Sequence, residues 1–410
     1  MRHSVKRIFD ELGKAVDATW DRADRDVRRF SEVACDALRA SRLHQAIDHE
    51  DIMRLALDGD LPVQTRRAFG QPPVNLHVAD DFLLEANFWL DGTTAIHSHG
   101  FRGAFLMLHG RSLHTTYVVR EQERLNEIAA ICSMDEHIVE ILGPGDVREI
   151  TSGNAFVHSA FHLDRPSVSV VLRTAGDAEA PPQMNFYPPS LAANRDALPE
   201  PMRTQLELFR VWGAVDPARM CRELVPWCAR RGKLAAIEAL RLGAEYAGAT
   251  PELEALRDAV RARFPALLRA AEASAAEQRR REWIASQRAR LKNEELRFFL
   301  AMLLVTNHEL RAGLIGREAP GRPYAQYITD SARALAAHGV RTQVRDELAV
   351  AILGEMLAGA CSADLVQRLA ASLPDIGLEE QAAEIHARAT AIANDPLFLG
   401  IVDEHWRINV

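Results

Sequence analysis

The sequence predicts an α+β protein in which N-terminal helices precede an antiparallel β-barrel or sandwich and a large all-α region follows it. Three observations predict this class: helical periodicity near the N-terminus, short β-rich runs in the middle, and renewed helical periodicity after a Pro-rich stretch. The predicted boundaries are an N-terminal helical segment at 1–60, a barrel at 74–176, a linker at 177–201 and a helical domain at 202–410.

Length and composition restrict the class of protein. The 410 residues exceed one ordinary core, so two or three folded parts are expected. Hydrophobic residues make up 48 % and charged residues 26 %, which is typical of a globular protein. The net charge of −8 lacks the basic balance of a nucleic-acid-binding surface. We therefore expect no nucleic-acid partner.

Cysteine usage and hydropathy indicate the compartment. The five cysteines are scattered without a CxxC pair, so neither a disulfide framework nor a structural zinc site is predicted. The N-terminal segment is charged throughout, and no apolar run reaches the roughly 18 residues of a membrane helix. We expect a cytoplasmic protein that has no membrane partner.

The first helical segment is predicted over residues 4–57. Apolar residues follow the i, i+3, i+4 spacing of an amphipathic helix from Val5 to Val16 and again from Val27 to Leu38. Glycines and prolines from Gly59 onward interrupt that pattern.

The barrel is predicted from short runs rich in Val, Ile, Phe and Leu, separated by Gly-containing turns. They read FLLEANFWLDGTTAIH, GAFLMLHGRSLHTTYVV, HIVEILGPGDVREI and SVSVVLRT. Several short strands at this spacing are typical of an antiparallel sandwich or barrel. The segment RLNEIAAICSMDEH between two of these runs is interpreted as a long hairpin.

The remaining sequence is predicted as a linker followed by helices. Prolines are dense from Gly176 to Pro201, which is interpreted as a linker or a wrapping arm. Residues 278–315 are predicted as one long or kinked helix, broken at Gly313 and Gly316. The Arg-rich run at 279–292 is interleaved with glutamates, so a solvated helix face is expected there. No fixed-period repeat supports a solenoid.

The informative histidines are His97 and His99. Alternate residues of a strand project on the same face, so the two imidazoles point together from Cα atoms about 6.6 Å apart. Two such rings can reach one metal ion at about 2.0 to 2.1 Å each. A third ligand must then come from a different strand.

The residues around this pair resemble the first cupin motif, G-x5-H-x-H-x3or4-E-x6-G. Gly92, His97, His99 and Gly110 match it with one residue fewer before the first histidine, and Gly103 stands where the family has a glutamate ligand. The resemblance implies a double-stranded β-helix, or jelly-roll, fold and a bound metal ion.

The second cupin motif reads G-x5-P-x-G-x2-H-x3-N. Gly145, Gly153 and His158 fit it with two extra residues, His162 stands where the Asn would be, and the proline is absent. The resemblance covers roughly 100 of the 410 residues. It implies that His158 is the third ligand. His162 is the rival third ligand, but it lies about 13 Å along an extended strand, so the two do not bind the same ion.

The absence of the glutamate changes the charge of the metal site that the resemblance implies, and with it the class of substrate. Three neutral imidazoles leave a divalent ion with its full +2 charge, which favours anionic, chelating substrates such as thiolates or carboxylates. Within the cupins, the three-histidine set is similar to that of the thiol dioxygenases, as is the stretch from Trp89 to His99. The implied metal is Fe(II), with Zn, Ni or Mn as alternatives.

The sequence also departs from the thiol dioxygenases. Their strand after the third ligand carries Ser-x-His-x-Tyr, whereas this one reads Ser169-Val-Val-Leu-Arg173. No arginine has the spacing of their carboxylate clamp. The arginines that remain open for this role are Arg66, Arg67, Arg102, Arg148, Arg165 and Arg173.

Further residues are assigned to the predicted pocket. Arg102, Arg173 and Trp89 are proposed to bind substrate, and Tyr117 and His162 to take part in catalysis, although Tyr117 also suits barrel packing and Trp89 a core position. His109 and His114 flank the Gly110 turn and are expected to be exposed. The sequence contains no G-x-G-x-x-G fingerprint, no P-loop and no G-x-S-x-G motif, so nucleotide-dependent and serine-hydrolase functions lose their usual support.

Three functions are carried forward. The first is a mononuclear non-haem iron dioxygenase that acts on a small anionic substrate with O₂. The second is a non-catalytic cupin that binds a metal or a ligand and uses its helical domain to contact proteins. The third is a zinc or nickel cupin isomerase or lyase, which needs no O₂. A homodimer formed through the helical domain is left open.

Overall fold

The protein combines helices and antiparallel strands. The structure is a computed structural model that describes residues 2–64, 70–90, 95–373 and 381–402. The strands are β1 Pro73–Val78, β2 Phe82–Trp89, β3 Ile96–His99, β4 Gly103–His109, β5 Ser112–Asn126, β6 Ala129–Leu142, β7 Val147–Ile150, β8 Gly153–His162, β9 Ser167–Thr174, β10 Asn185–Tyr187 and β11 Leu191–Ala193.

The N-terminal segment, predicted as helical over residues 4–57, forms several separate helices. They are α1 Arg2–Asp21, α2 Phe30–Ser41, α3 Leu43–Ala46 and α4 His49–Leu57. Asp24, Arg25 and Arg42 have φ values of 56°, 48° and 46°. A left-handed residue cannot continue a right-handed helix, so the chain turns at each of these points.

Five strands form a sheet in the order β1-β2-β9-β4-β7. Its outer face carries Leu84 and Leu172, which share a core with Phe9 and Phe30 of the N-terminal helices. Residues alternate across a strand, so the neighbours of these positions point to the opposite face. That inner face lies towards the histidines.

The other strands close into a barrel in the order β10-β11-β6-β5-β8-β3. Asn185 pairs with His97, which joins β10 to β3, and Leu191 pairs with Ile131, which joins β11 to β6. The structure therefore places two strands in the segment predicted as a Pro-rich linker. Pro188 and Pro189 lie in the turn between β10 and β11, where a missing N–H interrupts no ladder.

The C-terminal region is helical. Its helices are α5 Glu200–Val215, α6 Pro217–Arg231, α7 Lys233–Tyr246, α8 Pro251–Arg263, α9 Pro265–Arg290, α10 Glu294–Met302, α11 His308–Glu318, α12 Tyr324–Ala337, α13 Glu347–Leu357, α14 Leu365–Ser372 and α15 Ala382–Ala393. No helix in the part of the chain that is described combines the length and the apolar character needed to cross a membrane.

The expected helix over residues 278–315 is wrong in its breaks. The chain leaves the helical path before α10 and before α11, where the side chains of Asn293 and Asn307 cap the new helices by accepting from Leu296 and Leu310 N–H groups. Gly313 and Gly316, the predicted break points, lie inside α11.

The Arg-rich part of α9 contacts the barrel, and the expected solvated face is wrong for two of its members. Arg280 is 4 % exposed and Arg288 is fully buried. One Arg288 nitrogen, Nη2, donates to the carbonyl oxygens of His162 and Leu163 at 2.8 and 3.0 Å. The helical region is therefore attached to β8, the strand that carries the predicted third ligand.

Candidate metal centre

The three predicted ligands come together from two strands. His97 of β3 pairs directly with His158 of β8 in the antiparallel ladder, and the register shifts before His99 pairs with Gly153. Gly153 has a φ of 69°, a left-handed conformation that glycine adopts without strain. All three histidines are buried, with 6 % exposure or less.

The imidazole rings converge on one point. His97, His99 and His158 each offer a nitrogen within 4.8 Å of the others. The Nε2 atoms of His99 and His158 are 3.0 Å apart, a spacing that suits two ligands of one ion at about 2.0 to 2.1 Å each. His162 is not part of this group among the described residues.

Hydrogen bonds and burial prepare these rings to act as ligands. His97 Nδ1 lies 2.7 Å from the carbonyl oxygen of Ala95, which only accepts, so Nδ1 carries the proton and Nε2 has a lone pair. Burial lowers the pKa of His97 to about 4 and holds the pKa values of His99 and His158 well below their usual range. Neutral imidazoles are the form that binds a metal ion. The donor set therefore fits a divalent cation.

The position of the cupin glutamate is closed by backbone packing. A Cβ atom at Gly103 would lie 2.1 Å from the carbonyl oxygen of Leu172 and 2.8 Å from the Cα atom of Arg173. Any side chain at this position would displace strand β9. The structure thus explains why the site has three histidines and no carboxylate from β4.

A cavity of about 260 Å³ adjoins the three histidines, between the barrel and the inner face of the five-stranded sheet. Apolar side chains form much of its wall. The described residues that line it are Glu85, Trp89, His97, His99, Phe101, Phe105, Met107, Ile150, His158, Ala160, His162, Ser169, Val171, Arg173 and Gln183.

Two predicted pocket residues form a stacked pair in this cavity. The rings of Trp89 and His162 are parallel within 10°, with centroids 4.5 Å apart. His162 Nδ1 lies 2.9 Å from the Ser112 hydroxyl oxygen, whereas none of the described residues forms a hydrogen bond with its buried Nε2. Burial, together with the charge of Arg288, lowers the pKa of His162 to about 3, so this ring is neutral.

Arg173 also lines the cavity, where it is paired with a residue that the sequence analysis missed. Its Nε and Nη2 atoms donate to the two carboxylate oxygens of Glu85 at 3.2 and 3.4 Å. The guanidinium group lies 4.7 Å from the centre of the Phe101 ring, and that ring is 4.6 Å from the His99 ring. A buried ion pair therefore lies close to the candidate metal ligands.

Glu85 had a signal in the sequence. It is the one charged residue in the run FLLEANFW, and the strand is buried along its whole length. Because Leu84 and Ala86 belong to the core under the N-terminal helices, Glu85 faces the cavity. A charge in a strand that is buried on both faces indicates a partner or a function.

Two predicted site residues lie elsewhere. Tyr117 pairs with Val157, next to the pair of Thr116 and His158, so its side chain points to the face opposite His158. It packs in a separate apolar cluster inside the six-stranded barrel. Arg102 does not line the cavity among the described residues, and its Nε donates to Asp177 at 2.8 Å.

The expectation for His114 is wrong. It was predicted to be exposed, but it is fully buried and its Nε2 lies 3.0 Å from Nδ1 of His158. His109 is partly buried against His49. A new strand, β5, begins at Ser112 after the Gly110 turn and places His114 on the face that also carries His158, which a count of residues from the turn does not reveal.

The remaining predicted residues do not line the cavity where the structure describes them. Gly92, Arg66 and Arg67 lie outside the described residues. Arg148 donates to Glu140, and Arg165 donates to the carbonyl oxygen of Ala289. Neither of these two arginines lines the cavity. Among the open arginines that the structure describes, Arg173 is the one that reaches it.

Comparison with known proteins gives few links. No protein-family model and no curated protein matches the sequence. Among solved structures, the chain is similar to DMSP lyase DddQ from Ruegeria pomeroyi (18 % identity, 34 % of this chain and 67 % of that one, TM-score 0.24), to polyketide cyclase RemF from Streptomyces resistomycificus (20 %, 32 % and 82 %, 0.21) and to a cupin superfamily protein from Desulfitobacterium hafniense (12 %, 28 % and 95 %, 0.18). TM-scores of this size assign no family.

Proposed function

We propose that this chain is a metal-dependent enzyme of the cupin type, in which His97, His99 and His158 hold one divalent cation beside a cavity for a small substrate. The observation that carries the proposal is the convergence of three buried imidazoles whose ligand atoms lie within 4.8 Å of one another. With its Nδ1 protonated, His97 directs the lone pair of Nε2 away from its own backbone. One divalent cation bound among the three rings would accept all of these converging lone pairs at once.

Iron(II) is the metal that we propose first, with zinc, nickel and manganese as alternatives. Imidazole suits iron, and three protein ligands leave coordination positions open. When bound, the ion would supply Lewis-acid polarisation of an anionic substrate and, as iron, activation of O₂. Because the ligands are neutral, the ion keeps its +2 charge, which favours a substrate with a thiolate or carboxylate group.

The cavity residues would orient that substrate. Arg173 holds two nitrogens against Glu85 and donates through Nη1 to the carbonyl oxygen of Thr174 at 3.2 Å. A guanidinium group has five N–H donors, so donors remain for a substrate oxygen. The flat face of Trp89 and the apolar wall would enclose the rest of the molecule and exclude water. The volume of about 260 Å³ restricts the substrate to a small molecule.

We propose that His162 forms a hydrogen bond with the substrate and transfers a proton to it or from it. Its Nε2 is buried, lies in the cavity wall and has no hydrogen-bond partner among the residues that the structure describes. It accepts a hydrogen bond when Nδ1 donates to the Ser112 hydroxyl, and donates one when that hydroxyl donates to Nδ1. The stacked Trp89 keeps the ring in this orientation. We assign Tyr117 to barrel packing and no longer to catalysis.

The test measures metal content and then oxygen uptake. Purified protein is analysed for transition metals, reconstituted anaerobically with Fe(II), and supplied with a panel of small thiols and carboxylates in an oxygen electrode. We expect about one metal ion per chain and substrate-dependent uptake. A protein that binds no metal, before or after reconstitution, contradicts the whole proposal.

A second function deserves a test because two groups that can accept a proton, Glu85 and His162, line the same cavity. Such groups suit an isomerase or lyase that uses zinc or nickel and needs no O₂. Turnover of a substrate under strict anaerobiosis would establish this reaction class. Metal binding without turnover of any kind would favour the non-catalytic binding protein.

A further inference from the structure

His158 contacts a further histidine, His114, on the side away from the cavity. Its Nδ1 is 3.0 Å from Nε2 of His114, and Nδ1 of His114 is 3.0 Å from Oε1 of Glu140. We propose that His114 is a positioning residue for the metal ligand His158, held in turn by Glu140 and Arg148. This inference rests on the proposed function, because it concerns how the same centre holds its ion.

The hydrogen bonds that link Arg148, Glu140, His114 and His158 determine where the ring hydrogens lie, starting from Arg148. Arg148 donates through Nε to Glu140 at 2.8 Å, and this hydrogen bond, followed by the one from His114, lowers the pKa of Glu140 to about 2. A carboxylate only accepts, so His114 Nδ1 carries a proton. With Nδ1 as the donor to Glu140, Nε2 of His114 is the acceptor for Nδ1 of His158. Nε2 of His158 is left with its lone pair directed at His99.

The strand pairing fixes the relative positions of these hydrogen-bonded side chains. In the ladders around β5, His114 pairs with Glu140 of β6 and with Ala160 of β8, so His158 is its diagonal neighbour on the same face. The Phe105 ring packs against both histidines, with centroids 5.7 Å from His114 and 5.8 Å from His158. His114 itself is fully buried. Both imidazoles are thus confined in position and in orientation.

The three ligands are supported unequally as a result. His97 donates to the neutral carbonyl of Ala95, and Nδ1 of His99 has no hydrogen-bond partner within the described part of the chain. His158 alone of the three donates to a ring that is backed by a carboxylate. Such outer partners orient a ligand and raise its basicity, and their loss usually weakens metal binding about ten- to a hundred-fold. We therefore expect the contribution of His158 to depend on His114.

Cobalt(II) binding to the full-length chain tests this. Metal-free protein is titrated with Co(II) against a chelator, and the visible absorption spectrum of the bound ion is recorded for wild type, His114→Leu, His114→Gln and Glu140→Gln. Glutamine has an oxygen that can accept from His158 near the position of Nε2, whereas leucine has no acceptor. His137→Leu, at an exposed histidine of the same hairpin, is the matched control.

We expect His114→Leu to weaken Co(II) binding about ten- to a hundred-fold and to change the spectrum, Glu140→Gln to have a smaller effect, and His114→Gln to stay within about threefold of wild type. His137→Leu should match wild type. Equal affinity and an unchanged spectrum for His114→Leu would overturn this inference alone, provided that wild type binds Co(II) and His99→Ala does not. Absence of binding by wild type would overturn the proposed function as well.

A second measurement does not depend on the stability of the variants. In metal-free wild type labelled with ¹⁵N-histidine, nuclear magnetic resonance reports which ring nitrogen of each histidine carries the proton. We expect His158 and His114 both to be protonated at Nδ1. A proton on Nε2 of His114 would overturn the assignment, because that nitrogen could then no longer accept from His158.

Discussion

The Nε2 atoms of His99 and His158 lie 3.0 Å apart although the residues are 59 positions apart in the sequence. The contact exists because β3 and β8 are paired with His97 directly opposite His158. His99 is therefore the simplest residue with which to test the centre.

Replacing His99 with alanine should abolish metal binding and leave the fold intact. The remaining two ligands come from adjacent strands and cannot complete a three-ligand set. We expect a loss of affinity greater than the roughly hundred-fold typical of outer partners, measured by elemental analysis and chelator competition. His109→Ala, outside the cavity, is the control and should retain the metal. Global unfolding of His99→Ala in circular dichroism would indicate a structural residue instead.

The pH dependence of stability should include a contribution from His162. Burial, together with Arg288, lowers its pKa to about 3, whereas an unfolded histidine takes up a proton near pH 6.5. Between these values the unfolded state binds more protons, so the free energy of unfolding falls as the pH drops through this window. One such group contributes up to about 1.4 kcal/mol per pH unit.

His162→Phe preserves the stacking on Trp89 and removes this titration. Urea unfolding of both proteins at several pH values between about 5 and 7.5 should give a shallower dependence for the variant. Parallel curves for the two proteins would contradict the assigned burial of the His162 ring.

Gly103 should tolerate no side chain. Its added Cβ would approach two backbone atoms of β9 closer than 3.0 Å, so Gly103→Ala should lower the free energy of unfolding by about 3 kcal/mol. Gly100→Ala is the matched control, because the nearest atom there would be 3.6 Å away. Chemical denaturation measures both. If Gly103→Ala is as stable as Gly100→Ala, the backbone packing does not explain the missing carboxylate.

Arg288 should be needed for the attachment of the helical region to the barrel. Arg288→Met keeps much of the volume but leaves the carbonyl oxygens of His162 and Leu163 without this donor, which should cost about 2 to 3 kcal/mol. Arg290→Met, at an exposed position of the same helix, should change stability by less than about 0.5 kcal/mol. Equal unfolding free energies for the two variants would contradict this role.

Much of the architecture could be predicted from the sequence because hydrophobic periodicity reports local geometry. The alternating runs between residues 74 and 176 indicated strands, and the spacing of His97 and His99 indicated ligands on one face. His158 followed from its place relative to Gly145 and Gly153, both of which adopt positive φ values in the structure.

The rest depended on contacts between distant residues. β10 is three residues long and pairs with β11 and with the distant β3, so no local pattern marks it. His114 and Glu85 are polar residues in strands, and the sequence does not reveal whether a strand face is covered. The helices α10 and α11 begin at the Asn caps Asn293 and Asn307. The sequence analysis placed the breaks at Gly313 and Gly316 instead, which lie inside α11.

The closure of the six-stranded barrel by β10 and β11 limits where the chain can be cut. A fragment that stopped at residue 176 would expose the β3 edge beside His97 and the β6 edge beside Ile131. Open strand edges recruit other strands, so such a fragment would tend to aggregate and would lose its ligand geometry. An isolated β region that still bound an ion would have to extend at least through Ala193.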